Sequence, residues 1–169
     1  MARLFFALWP DAGARARLGP LAVELAAAAG GKPVPIAKVH LTLAFLGEVD
    51  AERVAAAVEA ARSVRRTRFA FALDRAGSFR GARVAWAGCA AVPEALAALA
   101  ASLGERLAAA GFALEDRAYA PHATLARRIA RAVPAAPIAP IAWPVDGFSL
   151  VRSEAGTGRY TVLEVFASG

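Results

Sequence analysis

Apolar positions recur along this chain with two different periods, and each change of period marks an element. Residues 3–9, RLFFALW, are aromatic and branched and stop at Pro10, which predicts a strand. An alanine-rich helical run follows to about Ala29, with Gly19 and Pro20 placed to kink it and Gly30 and Gly31 to close it. Ile36 to Leu46 again reads as a strand, ending at Gly47. Asp50 is placed to cap a helix whose apolar residues Val54, Val58 and Ala61 recur at helical spacing. RFAFALD (68–74) and ARVAWAG (82–88) alternate as strands on either side of the loop GSFRG.

The second half repeats the order. Pro93 suits a first helical position, residues 94–110 carry helical periodicity, and Gly111 suits the residue after a helix end. After FALED comes YAPHATLARR (119–128) as a strand, then a proline-rich stretch from Val133 to Pro144 expected to be an extended loop. Strands over 145–153 and 159–167 flank the turn EAGTG. Strands and helices mix without strict βαβ alternation, which predicts an α+β fold with antiparallel pairing in a single unit spanning 1–169.

Two polar pairs break the apolar strands. The chain has two histidines, in the tetrads HLTL (40–43) and HATL (122–125), 82 positions apart (122 − 40), each after a helix and a short connection. The recurrence of tetrad and element order points to a duplicated unit with a pseudo-twofold axis. Side chains at i and i+2 of a strand share a face. His40 and Thr42 therefore project together while Leu41 and Leu43 face a core, and His122 and Thr124 do the same against Ala123 and Leu125. A lone histidine in an apolar setting is usually structural, but two copies of one pattern on the only histidines argue for shared chemistry. In-line displacement at phosphorus needs a base on one side and an acid on the other, and imidazole serves either role near neutral pH. Threonine hydroxyls supply donors for the non-bridging oxygens.

Composition changes this picture little. A net charge of +6 and a pI near 10.6 suit a polyanionic partner, yet an arginine- and alanine-rich chain is also what GC-rich coding produces. The lone Cys89 excludes an internal disulfide and reads as a buried, inert thiol. The apolar opening is cut short by Pro10 and Asp11, and no run is long enough to span a bilayer, so a soluble cytoplasmic protein is expected. No carboxylate, cysteine and histidine cluster has metal-ligand spacing, so no metal or other cofactor is expected.

The paired tetrads, with RLFFALWPD, KVHLTLAFLGEV, GSFRGARVAWAG, AYAPHATLAR and FSLVRSEAGTGRYTVLEVF in the same order, resemble the two-histidine (2H) phosphoesterase superfamily. Within it the chain is most similar to the RNA 2′,3′-cyclic phosphodiesterases, also called the 2′-5′ RNA ligase family. The match covers nearly the whole chain, with Ala123 standing where a larger apolar residue is more usual. The resemblance implies two lobes, each with an antiparallel sheet and outer helices, and an active-site groove between them. It implies metal-independent opening of an RNA terminal 2′,3′-cyclic phosphate to a 2′-phosphomonoester, with His40 as the acid, His122 as the base, and weak reverse 2′-5′ joining. Thr42, Thr124 and Arg127 are then the phosphate-binding candidates, although strict alternation turns Arg127 away from His122 unless a bulge intervenes. Phe5, with Phe6 and Trp9 behind it, is the candidate for stacking on the terminal base, and Tyr119 for lining the groove. Lys38 and Arg152 lie near strands that border it, and Arg128 reads as a solvated charge. The partner expected is an RNA with a cyclic phosphate end or a cyclic nucleotide, with no obligate protein partner and no membrane. The alternatives are a module that binds RNA ends or nucleotides without turnover, or a phosphodiesterase for a small cyclic nucleotide.

Overall fold

The computed structural model describes residues 2–169. Its elements in chain order are β1 (Ala2–Leu8), α1 (Ala12–Ala29), β2 (Lys32–Pro33), β3 (Leu41–Val49), α2 (Val54–Arg62), β4 (Phe69–Phe79), β5 (Val84–Gly88), α3 (Glu94–Ala109), β6 (His122–Arg127), β7 (Ala136–Val145), β8 (Gly147–Ser153) and β9 (Tyr160–Ala167), with short 3₁₀ turns at Ile36–Lys38 and Ala51–Arg53. The class is α+β, and every strand pairing is antiparallel.

Two halves of four strands each, β7-β4-β5-β6 and β3-β1-β8-β9, form the two expected sheets, and they differ from the expectation in being joined. The join is a single pair, Leu41 with Ala123. These are the residues that follow the two histidines, so the pseudo-twofold axis runs between the two tetrads. Beyond that pair the halves splay. The gap beside the end of β6 is filled by β2, with Lys32 opposite Arg127 and the Val34 amide donating to the Leu125 carbonyl at 2.8 Å.

Local sequence explains most of the elements. Asp11 caps α1 by accepting from the Ala14 amide at 2.8 Å, and Gly30 ends it at φ 68°, a left-handed conformation that costs glycine little. The helix runs unbroken through Pro20. Asp50 starts a 3₁₀ turn without a side-chain cap, and α2 begins only at Val54. The stretch expected as a loop from Val133 to Pro144 is a correction: residues 136–145 form β7. It survives three prolines, Pro137, Pro140 and Pro144, because it is an edge strand paired only with β4, and its ladder is interrupted between Leu73 and Arg75, opposite Pro140.

The helices cross over between the halves. α1, from the first half, packs on β6 and β7, whereas α3, from the second half, packs on β3 and α2. Leu18, Leu25, Leu103, Leu107, Leu41, Leu125 and Trp143 all belong to one buried cluster, so both tetrads rest on a common core. A separate small cluster of Phe5, Ala7 and Val151, with Trp9 and Tyr160 against it, lies outside that core.

Candidate active site

The alternation expected of the tetrads holds: Leu41, Leu43, Ala123 and Leu125 are buried, and His40, Thr42, His122 and Thr124 line one cleft of about 340 Å³ together with Arg127. The pairing of Leu41 with Ala123 accounts for the arrangement. Continued in an antiparallel register, it sets Thr124 across from His40 and Thr42 across from His122.

Both imidazoles are held in the same way. His40 Nδ1 lies 2.8 Å from the Lys38 carbonyl and His122 Nδ1 lies 2.8 Å from the Ala120 carbonyl, each two residues upstream. A carbonyl only accepts, so Nδ1 carries the proton in both rings, leaving Nε2 to accept a proton when the ring is neutral or to donate one when it is charged. Around this common plan the surroundings differ. His40 sits in an aromatic box: stacked on Phe5 at 4.8 Å, beside Trp9 at 5.6 Å, and edge-to-face with Tyr160 at 5.5 Å. Burial there pushes its pKa below the ordinary histidine value; the hydrogen bond to Lys38 opposes the shift, and the charges of Arg127 and His122 add to it. His122 has one aromatic neighbour, Phe79, edge-on at 5.1 Å.

Arg127 reaches the cleft by a bulge. Opposite β5 the register steps from Trp86–Thr124 to Ala85–Ala126, leaving Leu125 as the extra residue. Leu125 and Ala126 are consequently buried in succession and Arg127 returns to the face of His122.

The remaining candidates divide between the cleft wall and its surroundings. Phe5 lines the cleft but is only 4% exposed, its ring stacked on His40 and at right angles to Tyr160, so it backs the imidazole and has little surface to offer a base. Phe6 is in the main core, in contact with Phe148 and Phe166. Tyr119 does not line the cleft. Its hydroxyl donates to the Thr42 carbonyl at 2.9 Å, linking the two halves behind the site, and burial pushes its pKa upward. Lys38 lines the cleft with its Nζ donating to the Gly158 carbonyl, beside the Tyr160 ring. Arg152 is not among the lining residues, and Arg128 is exposed at φ 55°. Cys89 donates to the Ala72 carbonyl at 3.3 Å, and burial raises its pKa to about 11, which suits an inert thiol.

Sequence reasoning missed Phe45, Arg3 and Tyr160, all of which line the cleft. Phe45 had a visible signal: it stands five residues after His40, as Arg127 stands five after His122. Among the described residues no group of three or more His, Cys, Asp or Glu is placed to hold a metal ion, and no helix is long and apolar enough to cross a membrane.

Paired histidines and threonines on one face of a duplicated antiparallel fold define a class of phosphoesterase, and the comparisons place the chain within it. The family model described as LigT like Phosphoesterase matches residues 8–86 and 88–161, and the chain belongs to that family. The RNA 2′,3′-cyclic phosphodiesterase of Escherichia coli (strain K12) is 36% identical over 168 residues, covering 98% of this chain and 96% of that protein. The crystal structure of E. coli LigT in apo form superposes with a TM-score of 0.85 at 35% identity, covering 99% of this chain and 97% of that one. The structure of E. coli LigT complexed with 3′-AMP gives a TM-score of 0.82 at 35% identity, with 99% and 98% coverage.

Proposed function

We propose that the chain is a cytoplasmic RNA 2′,3′-cyclic phosphodiesterase: water opens a terminal cyclic phosphate, the 3′ oxygen leaves, and a 2′-phosphomonoester remains. The observation that carries the reading is the direct pairing of Leu41 with Ala123, which brings two identically tethered imidazoles and two threonines to one cleft. The relative of that name and the LigT complex with 3′-AMP support the substrate class.

In this reading His122 Nε2 takes a proton from water as its oxygen bonds to phosphorus, and His40 donates its Nε2 proton to O3′ as the P–O3′ bond breaks. The hydroxyls of Thr42 and Thr124 and the Arg127 guanidinium hydrogen-bond the non-bridging oxygens, where negative charge gathers. The turnover leaves His122 protonated and His40 neutral, and exchange with solvent restores both. Burial disfavours a charged His40 in the empty cleft; a bound phosphate anion beside the ring opposes that and favours the imidazolium.

The test is product analysis by chromatography, with 2′,3′-cyclic AMP and a short RNA ending in a cyclic phosphate as substrates. Turnover of both by the wild type, lost in His40→Ala and in His122→Ala, is the expected result. Tight binding of the RNA without product replaces the reading with that of a binding module, and turnover of the mononucleotide alone makes the substrate a small cyclic nucleotide.

A further inference from the structure

Three cations line the cleft, Arg3, Lys38 and Arg127, and no carboxylate does. A cyclic phosphate carries one negative charge, and Arg127 offsets it. Lys38 is held by the Gly158 carbonyl and lies over the Tyr160 ring. Arg3 is left over. Glu48 stands opposite it across the ladder of β1 and β3, yet among the described residues the two form no ion pair. The guanidinium lies instead 5.3 Å from the centroid of the Phe45 ring, at the cleft wall. A bulge turns Phe45 to that wall: opposite β1 the register of β3 steps from Ala7–Thr42 to Phe6–Ala44, with Leu43 the extra residue, as Leu125 is in β6.

Arg3 belongs to a row. Across the sheet it pairs with Ser153 of β8, which pairs with Tyr160 of β9, and all three line the cleft. The row exists in one half only. Phe5 pairs with the residue five after His40, and Val84 with the residue five after His122, so the two positions are equivalent. Past Phe5, β1 runs on to Ala2, whereas β5 starts at Val84. Beyond its symmetric histidines the cleft therefore carries an added shelf on the first half, bearing a guanidinium and a hydroxyl.

We propose that Arg3 and Ser153 form a second anion site, which takes the phosphodiester on the 5′ side of the terminal nucleoside of the RNA. Arg3 stands two residues from Phe5 on the same face of β1, about 7 Å along the strand, and the Phe5 ring stacks on His40. With O3′ at His40, the RNA leaves towards its 5′ side through C3′, C4′, C5′ and O5′, a reach comparable to that step. The guanidinium hydrogen-bonds the non-bridging oxygens of this phosphodiester, and the Ser153 hydroxyl donates to the same group. A mononucleoside cyclic phosphate has nothing to place there. The shelf thereby favours RNA ends over small cyclic nucleotides. Its role rests on the phosphodiesterase reading above, with O3′ beside His40.

The test compares kcat/KM for two dinucleotides ending in a 2′,3′-cyclic phosphate, one joined by the natural phosphodiester and the other by an uncharged methylphosphonate. Arg3 is exposed on β1 and Ser153 is half-buried, so Arg3→Gln and Ser153→Ala leave the core intact. The wild type is expected to favour the charged linkage at least tenfold, Arg3→Gln to lose most of that preference, and Ser153→Ala to lose a smaller part. A wild type that opens both dinucleotides equally well overturns the proposal. So does a full preference retained in Arg3→Gln or, should that variant fail to fold, in Ser153→Ala. A wild type that opens no cyclic phosphate, neither in these dinucleotides nor in 2′,3′-cyclic AMP, overturns the phosphodiesterase reading itself.

Discussion

The assignment of His40 as the acid has a consequence that a leaving-group substitution isolates. Replacing His40 by alanine removes the proton that O3′ takes up on departure, and a positioned general acid contributes about 10²- to 10⁴-fold, roughly 3–5 kcal/mol of barrier at about 1.4 kcal/mol per factor of ten. The variant also loses the ring that packs against Phe5, Trp9 and Tyr160. That contact is worth on the order of 1–2 kcal/mol of stability, too little to unfold an ordinary domain. The assay compares a nucleoside 2′,3′-cyclic phosphate with its analogue carrying sulfur in place of O3′. A thiolate leaving group, with a conjugate acid near about 8.5, departs without a proton, so the deficit of His40→Ala is expected to shrink to within about tenfold on the sulfur substrate. An equal deficit on both substrates refutes the assignment.

The same group sets a pH limb, and its sign follows from burial. An ordinary imidazole is about one-tenth protonated at pH 7.5; His40 is protonated less, because burial lowers its pKa. As the acid it must hold its proton, so kcat/KM, which reports the free enzyme, is expected to fall with rising pH from a point below the ordinary histidine value. The corresponding limb of kcat lies at higher pH, since the bound phosphate favours the imidazolium. A kcat/KM that keeps rising through pH 7.5 contradicts this.

Further outcomes are expected. His122→Ala loses a similar factor of about 10²–10⁴ but gains nothing from the sulfur substrate, because it lacks the base and not the acid; rescue there would exchange the two roles. Turnover measured after dialysis against a chelator is unchanged, the described residues offering no metal-binding group. Tyr119→Phe deletes the donor to the Thr42 carbonyl and costs about 1 kcal/mol in urea unfolding, with a smaller effect on kcat than either histidine variant. Gly147→Ala costs about 3 kcal/mol in the same measurement, because φ at Gly147 is 146° and an added Cβ meets the Phe166 carbonyl oxygen.

The tetrads were legible because a strand's period is local: two residues per repeat put His40 with Thr42 and Leu41 with Leu43 whatever the partner strand is. Burial of both leucines, with both polar residues in the cleft, follows from that alone. What depends on a partner was not legible. The bulges at Leu43 and Leu125 exist only relative to β1 and β5, so alternation alone turned Arg127 away from a cleft it lines and gave no reason to single out Phe45. Prolines in residues 136–145 speak for a loop locally, while an edge position with one open side tolerates them. Tyr119 fails for another reason: proximity in sequence to His122 says nothing about which side of the strand the hydroxyl reaches, and it reaches the Thr42 carbonyl.

The crossed helices add a physical reason for the two tetrads to stay in register. A helix from each half braces the strand that holds the other half's tetrad leucines, α1 on β6 and α3 on β3, with His40 immediately before β3 and His122 at the start of β6. The buried leucines under both tetrads share one cluster with Leu18 and Leu25 of α1 and Leu103 and Leu107 of α3. Because close-packed interiors transmit displacement instead of absorbing it, neither imidazole can move on its strand without shifting the core that holds the other. A single ladder pair, Leu41 with Ala123, is a weak hinge taken alone; crossed helices make it a fixed one. The spacing needed for in-line transfer then comes from packing far from the cleft, which leaves exposed cleft positions such as Phe45 and Arg127 open to sequence change without loss of the fold.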